Sequence, residues 1–103
     1  MAIHDLPAQA DFSAERPRSQ ILYDSEAARV VLFNLRTGQT VPPHVAPVRV
    51  LMLVIEGRGE FVVGEEALPV GPGSLAICEP NESHGFTAAE DLSVLAVIAP
   101  RPS

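Results

Sequence analysis

Turn-forming residues set the strongest limit on what this chain can fold into. From Ile21 onward, short apolar runs are broken by Gly, Pro, Asn and Asp before any becomes long enough for a helix. "RVVLFNL" runs into "RTGQ", "VRVLMLVI" into "EGRG", "SLAIC" into "EPNES" and "LSVLAVI" into "APRPS". Val, Ile, Leu and Phe dominate the runs, which marks them as strands between turns. No window of helical length keeps a 3.6-residue apolar period without meeting a Gly or Pro. The 10 prolines fall mostly at run boundaries, where a missing N–H does little harm. Many short strands in 103 residues predict an all-β sandwich or barrel with one core. Residues 1–20 are polar and proline-containing, and they read as an N-terminal arm that docks on a partner subunit; residues 21–103 make the barrel.

Alternation along Val48–Ile55 refines this picture, because strand side chains point to opposite faces in turn. His44, Ala46, Val48, Val50, Met52 and Val54 share one face; Val45, Pro47, Arg49, Leu51, Leu53 and Ile55 share the other. Both faces are apolar over the second half. One therefore meets the barrel interior, and the other meets a second layer or a second subunit. Arg49 falls on the outward face and is expected to pair with an acid across an interface.

Charge excludes two partner classes. The net charge is −6 with only 7 Lys+Arg, so the basic face needed against DNA or RNA phosphates is missing. The same deficit argues against an anionic membrane surface. The N-terminal "MAIHDLPAQADF" has neither the basic nor the apolar region of a signal peptide, and no apolar run reaches spanning length. The single cysteine, Cys78, has no internal disulfide partner, which suits the cytoplasm. At the end of "SLAIC" it reads as a small buried hydrophobe rather than a nucleophile. Tyr23 reads as a packed aromatic, and Glu65-Glu66 as a solvated hairpin tip.

Gly38, His44, Gly57, the stretch "GPGSLAICEPNESHGF" and the closing "EDLSVLAVIAP" together carry a family likeness. From about Ile21 to Pro100 the chain resembles a small single-domain cupin of the conserved-barrel type. The resemblance implies a double-stranded β-helix, or jelly-roll barrel, with metal ligands on facing strands inside it. The first family motif runs from a glycine through His-x-His and a glutamate to a second glycine. Gly38 and Gly57 supply its ends and His44 its first histidine, while Ala46 stands at the second histidine position and Val50 at the glutamate. The second motif is represented by Gly71-Pro72-Gly73, Pro80 and His84. Two of the implied ligand positions, His44 and His84, are thus kept and two are apolar.

That donor set is incomplete for a first-row metal, which normally takes three or four protein ligands, often with a carboxylate. A divalent Zn, Ni, Mn or Fe at His44 and His84 would be held weakly, with water filling the other positions. Met52, on the same face, adds only a soft thioether that suits copper better. The positions of Cys78 and Glu82 relative to the barrel are open at this stage. The competing reading makes both histidines polar rim residues, hydrogen-bonded to backbone or to each other.

Three functional readings remain open. In the first, the barrel holds a small, largely apolar ligand against Ala46, Val48, Val50, Met52 and Phe86, with His44 and His84 as its polar anchor. In the second, the chain is a cupin enzyme, either metal-dependent (oxygenase, isomerase or lyase) or metal-free with His44 or His84 as general base. In the third, the barrel is a dimeric scaffold whose pocket is vestigial and too small for a ligand. A homodimer is expected in each case.

Overall fold

The computed structural model describes residues 1–102. Nine strands follow one another with no helix among the described residues: β1 (Arg18–Asp24), β2 (Arg29–Leu35), β3 (Thr40–His44), β4 (Arg49–Glu56), β5 (Gly59–Val63), β6 (Glu66–Val70), β7 (Leu75–Cys78), β8 (His84–Ala88) and β9 (Leu92–Ala99). They form a five-stranded sheet in the order β1-β2-β9-β4-β7 and a four-stranded sheet in the order β3-β8-β5-β6. All pairings are antiparallel. The two sheets face each other as a jelly-roll barrel, the all-β architecture expected from the turn pattern.

Side-chain alternation builds the core. Along β4, Val50, Met52 and Val54 are buried while Leu51, Leu53 and Ile55 are only half-buried. Across the barrel Phe61 of β5 and Phe86 of β8 close the same core, and Leu92, Val94 and Ala96 of β9 complete it. Phe86 receives the edge of Phe33 at 5.4 Å between ring centroids and packs tilted on Phe61 at 5.7 Å, separations typical of favourable aromatic pairs.

Proline placement follows the sheet order. Pro42 and Pro43 lie in β3 and Pro69 lies in β6, the two edge strands of the four-stranded sheet. An edge strand loses least by lacking an N–H donor. Two glycines are required by close approach. A Cβ on Gly57, at φ +85°, would overlap the Asp91 carbonyl oxygen. A Cβ on Gly85 would lie 2.7 Å from both the Val41 carbonyl oxygen and the Pro43 nitrogen, so any side chain there would push β3 away from β8.

β1 begins at Arg18, so Arg18, Ser19 and Gln20, assigned to the arm by their polarity, belong to the sheet. Ladder bonds to β2 hold them, and such bonds need no apolar side chains. The residues before them bond to their own barrel. Gln20 Nε2 donates to the Gln9 carbonyl at 2.8 Å and Gln39 Nε2 to the Ser13 carbonyl at 2.7 Å. Met1, Ala2, His4 and Leu6 border a groove with Leu22, Tyr23, Val30 and Leu95 on the outer face of the five-stranded sheet. Tyr23 is 57% exposed there, not packed as its aromatic character suggested; a register shift between Ile21 and Tyr23 in edge strand β1 leaves it on the rim. On the same outer face, Ser93 Oγ donates to Asn34 Oδ1 at 2.8 Å, and Asn34 Nδ2 is buried without a partner among the described residues.

Candidate functional site

Edge strand β3 and its neighbour β8 bring the two histidines together. His44 and His84 are direct partners in the ladder, beyond a register shift that follows Val41 where Pro42 and Pro43 interrupt the bonding. Their rings meet at 4.3 Å between centroids with 60° between planes. His84 is buried at 4% exposure, whereas His44 is exposed at the rim. His84 Nδ1–H donates to the Glu82 carbonyl at 3.1 Å.

The loop that carries this carbonyl is tied down from several sides. The Glu79 N–H donates to Glu82 Oε1 at 3.1 Å, the Glu82 N–H to the Glu79 carbonyl at 3.1 Å, and the Asn81 N–H to the Ala46 carbonyl at 2.8 Å. Asn81 supports the sharp turn with φ of 68°, a conformation Asn tolerates better than most residues.

Behind the histidines lies a cavity of about 120 Å³. Each of His44, Ala46, Val48, Val50, Met52, His84 and Phe86 lines it. Phe33, Val41, Gly85, Ala96, Ile98 and Pro102 line it too. Sequence alternation could not select Phe33, Ala96 and Ile98: β2 and β9 are apolar on both faces, and the inward face emerges only once their register is known. Apart from the two imidazoles, no lining side chain is polar.

The donor atoms do not fit a resident metal of the type the motif implies. Ala46 and Val50 present methyl groups where a nitrogen and a carboxylate would be needed. Among the described residues no three His, Cys, Asp or Glu side chains gather closely enough to hold an ion. Glu82 offers its backbone carbonyl to His84, and its residue borders a separate groove between β6 and β7. Cys78 is fully buried, and burial, aided by the nearby Glu82 charge, pushes its thiol up to about 11. A thiol in that state is a poor nucleophile at neutral pH. Within the chain, Arg49 Nε donates to Glu79 Oε1 at 2.7 Å. The loop before β8 brings Glu79 beside the start of β4, a closeness that 30 residues of separation conceal. This ion pair holds the Glu79 carboxyl below its usual range.

Comparisons with known proteins agree with this geometry. The cupin-domain family model matches residues 31–98. The structure of TT1209 from Thermus thermophilus superimposes with a TM-score of 0.93 at 30% identity, covering 99% of this chain and 100% of that one. An RmlC-like cupin protein from Desulfovibrio desulfuricans gives 0.90 at 31% identity, with 97% of each chain covered. A predicted oxalate decarboxylase from Thermotoga maritima gives 0.76 at 22% identity, with 82% of this chain and 80% of that one covered; that likeness is one of fold alone. No curated protein matches the sequence.

Proposed function

This chain belongs to the cupin-domain family, and from that premise we propose that it is a binding module that takes a small, largely apolar ligand inside the barrel, with His44 and His84 as the polar end of the site. The observation that carries the reading is the cavity of about 120 Å³, apolar except for the two imidazoles at one end. A void of about 150 Å³ with apolar walls holds a benzene ring; this cavity approaches that size, which supports a pocket for one small ring. No carboxylate lines the cavity to act as a partnering acid or base, which favours binding over acid–base catalysis.

Magnitudes set the expected affinity. An aromatic ring buries on the order of 150 Å², worth about 4 kcal/mol at ~25 cal/mol per Å². One neutral hydrogen bond adds about 1 kcal/mol. Association costs reduce the sum, so fragment-sized ligands should bind in the millimolar range or more weakly. The test is thermal melting with excess benzene. The parent should melt higher, by preferential binding to the folded state, and Ala46→Phe, which fills the cavity, should not respond. An equal response in both proteins would place the ligand elsewhere.

We also propose a homodimer formed through the outer face of β4 and β7. Leu51 lies opposite Ile77, and Leu53 opposite Leu75; Leu75 and Ile77 are 58% and 57% exposed. The prolines that blunt sheet edges are on the other sheet, so edge strand β7 carries no such block. A buried free thiol at Cys78 suits a reducing compartment, which supports a cytoplasmic setting. Among the described residues no helix is long and apolar enough to cross a membrane.

A further inference from the structure

Given a ligand in the cavity as proposed above, we propose that this ligand is a single-ring phenol whose hydroxyl donates to Nε2 of His84. The argument begins at the other ring nitrogen. A carbonyl oxygen can only accept, so the 3.1 Å contact to Glu82 requires the proton on His84 Nδ1. In the neutral ring that is its one N–H, and Nε2 then keeps its lone pair. The Glu82 carbonyl is fixed by the Glu79–Glu82 bonds and by the bond from Asn81 to Ala46, so the loop opposes exchange to the other tautomer. No described residue donates to Nε2, and no hydrogen bond joins His44 to His84 although their rings meet at 4.3 Å. His84 is 4% exposed and lines the cavity. The site thus presents the Nε2 acceptor of His84 beside the rim imidazole of His44, in an otherwise apolar wall.

A ligand that pairs with Nε2 must bring a donor. A carboxylate brings only acceptors, and no Lys or Arg lines the cavity to neutralise it; the chain's net charge of −6 adds repulsion. An ether brings no donor. A hydroxyl does, and its proton points where the lone pair lies. The walls favour a flat ring as the rest of the molecule. Phe33 and Phe86 already meet edge to face at 5.4 Å beside the cavity, an arrangement a third ring extends. The Met52 sulfur on the same wall also favours aromatic contact. The volume, about 120 Å³ and open at the histidine end, limits the body to one ring.

The experiment compares phenol, anisole, benzene and benzoate by NMR titration of the parent protein at neutral pH. Phenol is expected to bind roughly fivefold tighter than anisole or benzene, the step one added hydrogen bond of about 1 kcal/mol makes, and benzoate weakest. Benzene and anisole binding as tightly as phenol would overturn the phenol assignment while leaving the cavity reading intact. Benzoate binding tightest would overturn it in favour of a charged His84. No saturable binding by any of the four would overturn both. Two measurements keep the tests independent. Long-range proton–nitrogen correlation on the ligand-free parent should show His84 protonated at Nδ1, and a proton on Nε2 would contradict the assignment. His84→Phe keeps a ring but removes the acceptor, so phenol should lose its advantage over benzene; an undiminished advantage would contradict it.

Discussion

His44 and His84 are cross-strand partners, yet their surroundings are opposite: His84 is 4% exposed and tied to the Glu82 carbonyl, while His44 stands at the exposed rim. In the proposed binding site His84 would be the fixed anchor and His44 would stand at the entrance. His84→Ala should leave a folded barrel and weaken a cavity ligand by about 0.5–1.5 kcal/mol, the value of one neutral hydrogen bond. Circular dichroism and ligand titration on the same sample measure both effects. Unfolding at room temperature would make His84 a core element rather than an anchor.

Metal affinity depends on the two apolar positions. Val50 and Ala46 line the cavity beside both histidines. Ala46→His combined with Val50→Glu should therefore gather three imidazoles and one carboxylate, a set that suits Mn, Fe, Ni or Zn. The double variant should be less stable than the parent without metal, because a buried unpaired carboxylate is costly. A divalent ion should raise its melting temperature far more than the parent's. Equal metal response in the two proteins would show that the parent completes a site by another route.

The outer face of β4 and β7 should hold two copies together. An interface of this type buries more than about 1,000 Å², and a charge at its centre should break it. Light scattering should give a dimer for the parent at micromolar concentration and a monomer for Leu75→Lys combined with Ile77→Lys. A monomeric parent would reject the assembly.

Cys78 predicts a loss of stability in alkaline solution. Burial raises the thiol from 9.0 to about 11, so the folded chain holds this proton more tightly than the unfolded chain. The stabilisation is complete below pH 9.0 and is lost as pH rises toward about 11. Cys78→Ala should abolish this part of the slope, leaving a denaturant midpoint that falls less between those limits. Identical slopes would show that the thiol does not couple to folding there.

The turn residues made most of the fold legible. Breaks after "RVVLFNL", "VRVLMLVI" and "SLAIC" mark real strand ends, and alternation along β4 separates Val50, Met52 and Val54 from Leu51, Leu53 and Ile55 as the burial does. Part of the cavity was legible here too, because Val50 and Met52 on the inward face of β4 line it; His44 ends β3, and Ala46 and Val48 lie in the connection to β4, so the alternation read as one strand from His44 onward crosses a break that the sequence does not mark. Phe33, Ala96 and Ile98 were not legible, since they enter through the pairing of β2 with β9, and strands apolar on both faces do not reveal which side turns inward. The Glu82 carbonyl was hidden for another reason: a backbone acceptor leaves no mark in residue type. The start of β1 was missed because its residues are polar, and edge pairing alone holds them.

Heteronuclear NMR of metal-stripped protein titrated with phenol tests the central claim most directly. Saturable shifts at Ala46, Val48, Met52, His84 and Phe86, absent in Ala46→Phe, are the predicted result. Shifts that require added metal, that fall outside the barrel, or that persist in the filled variant would contradict it.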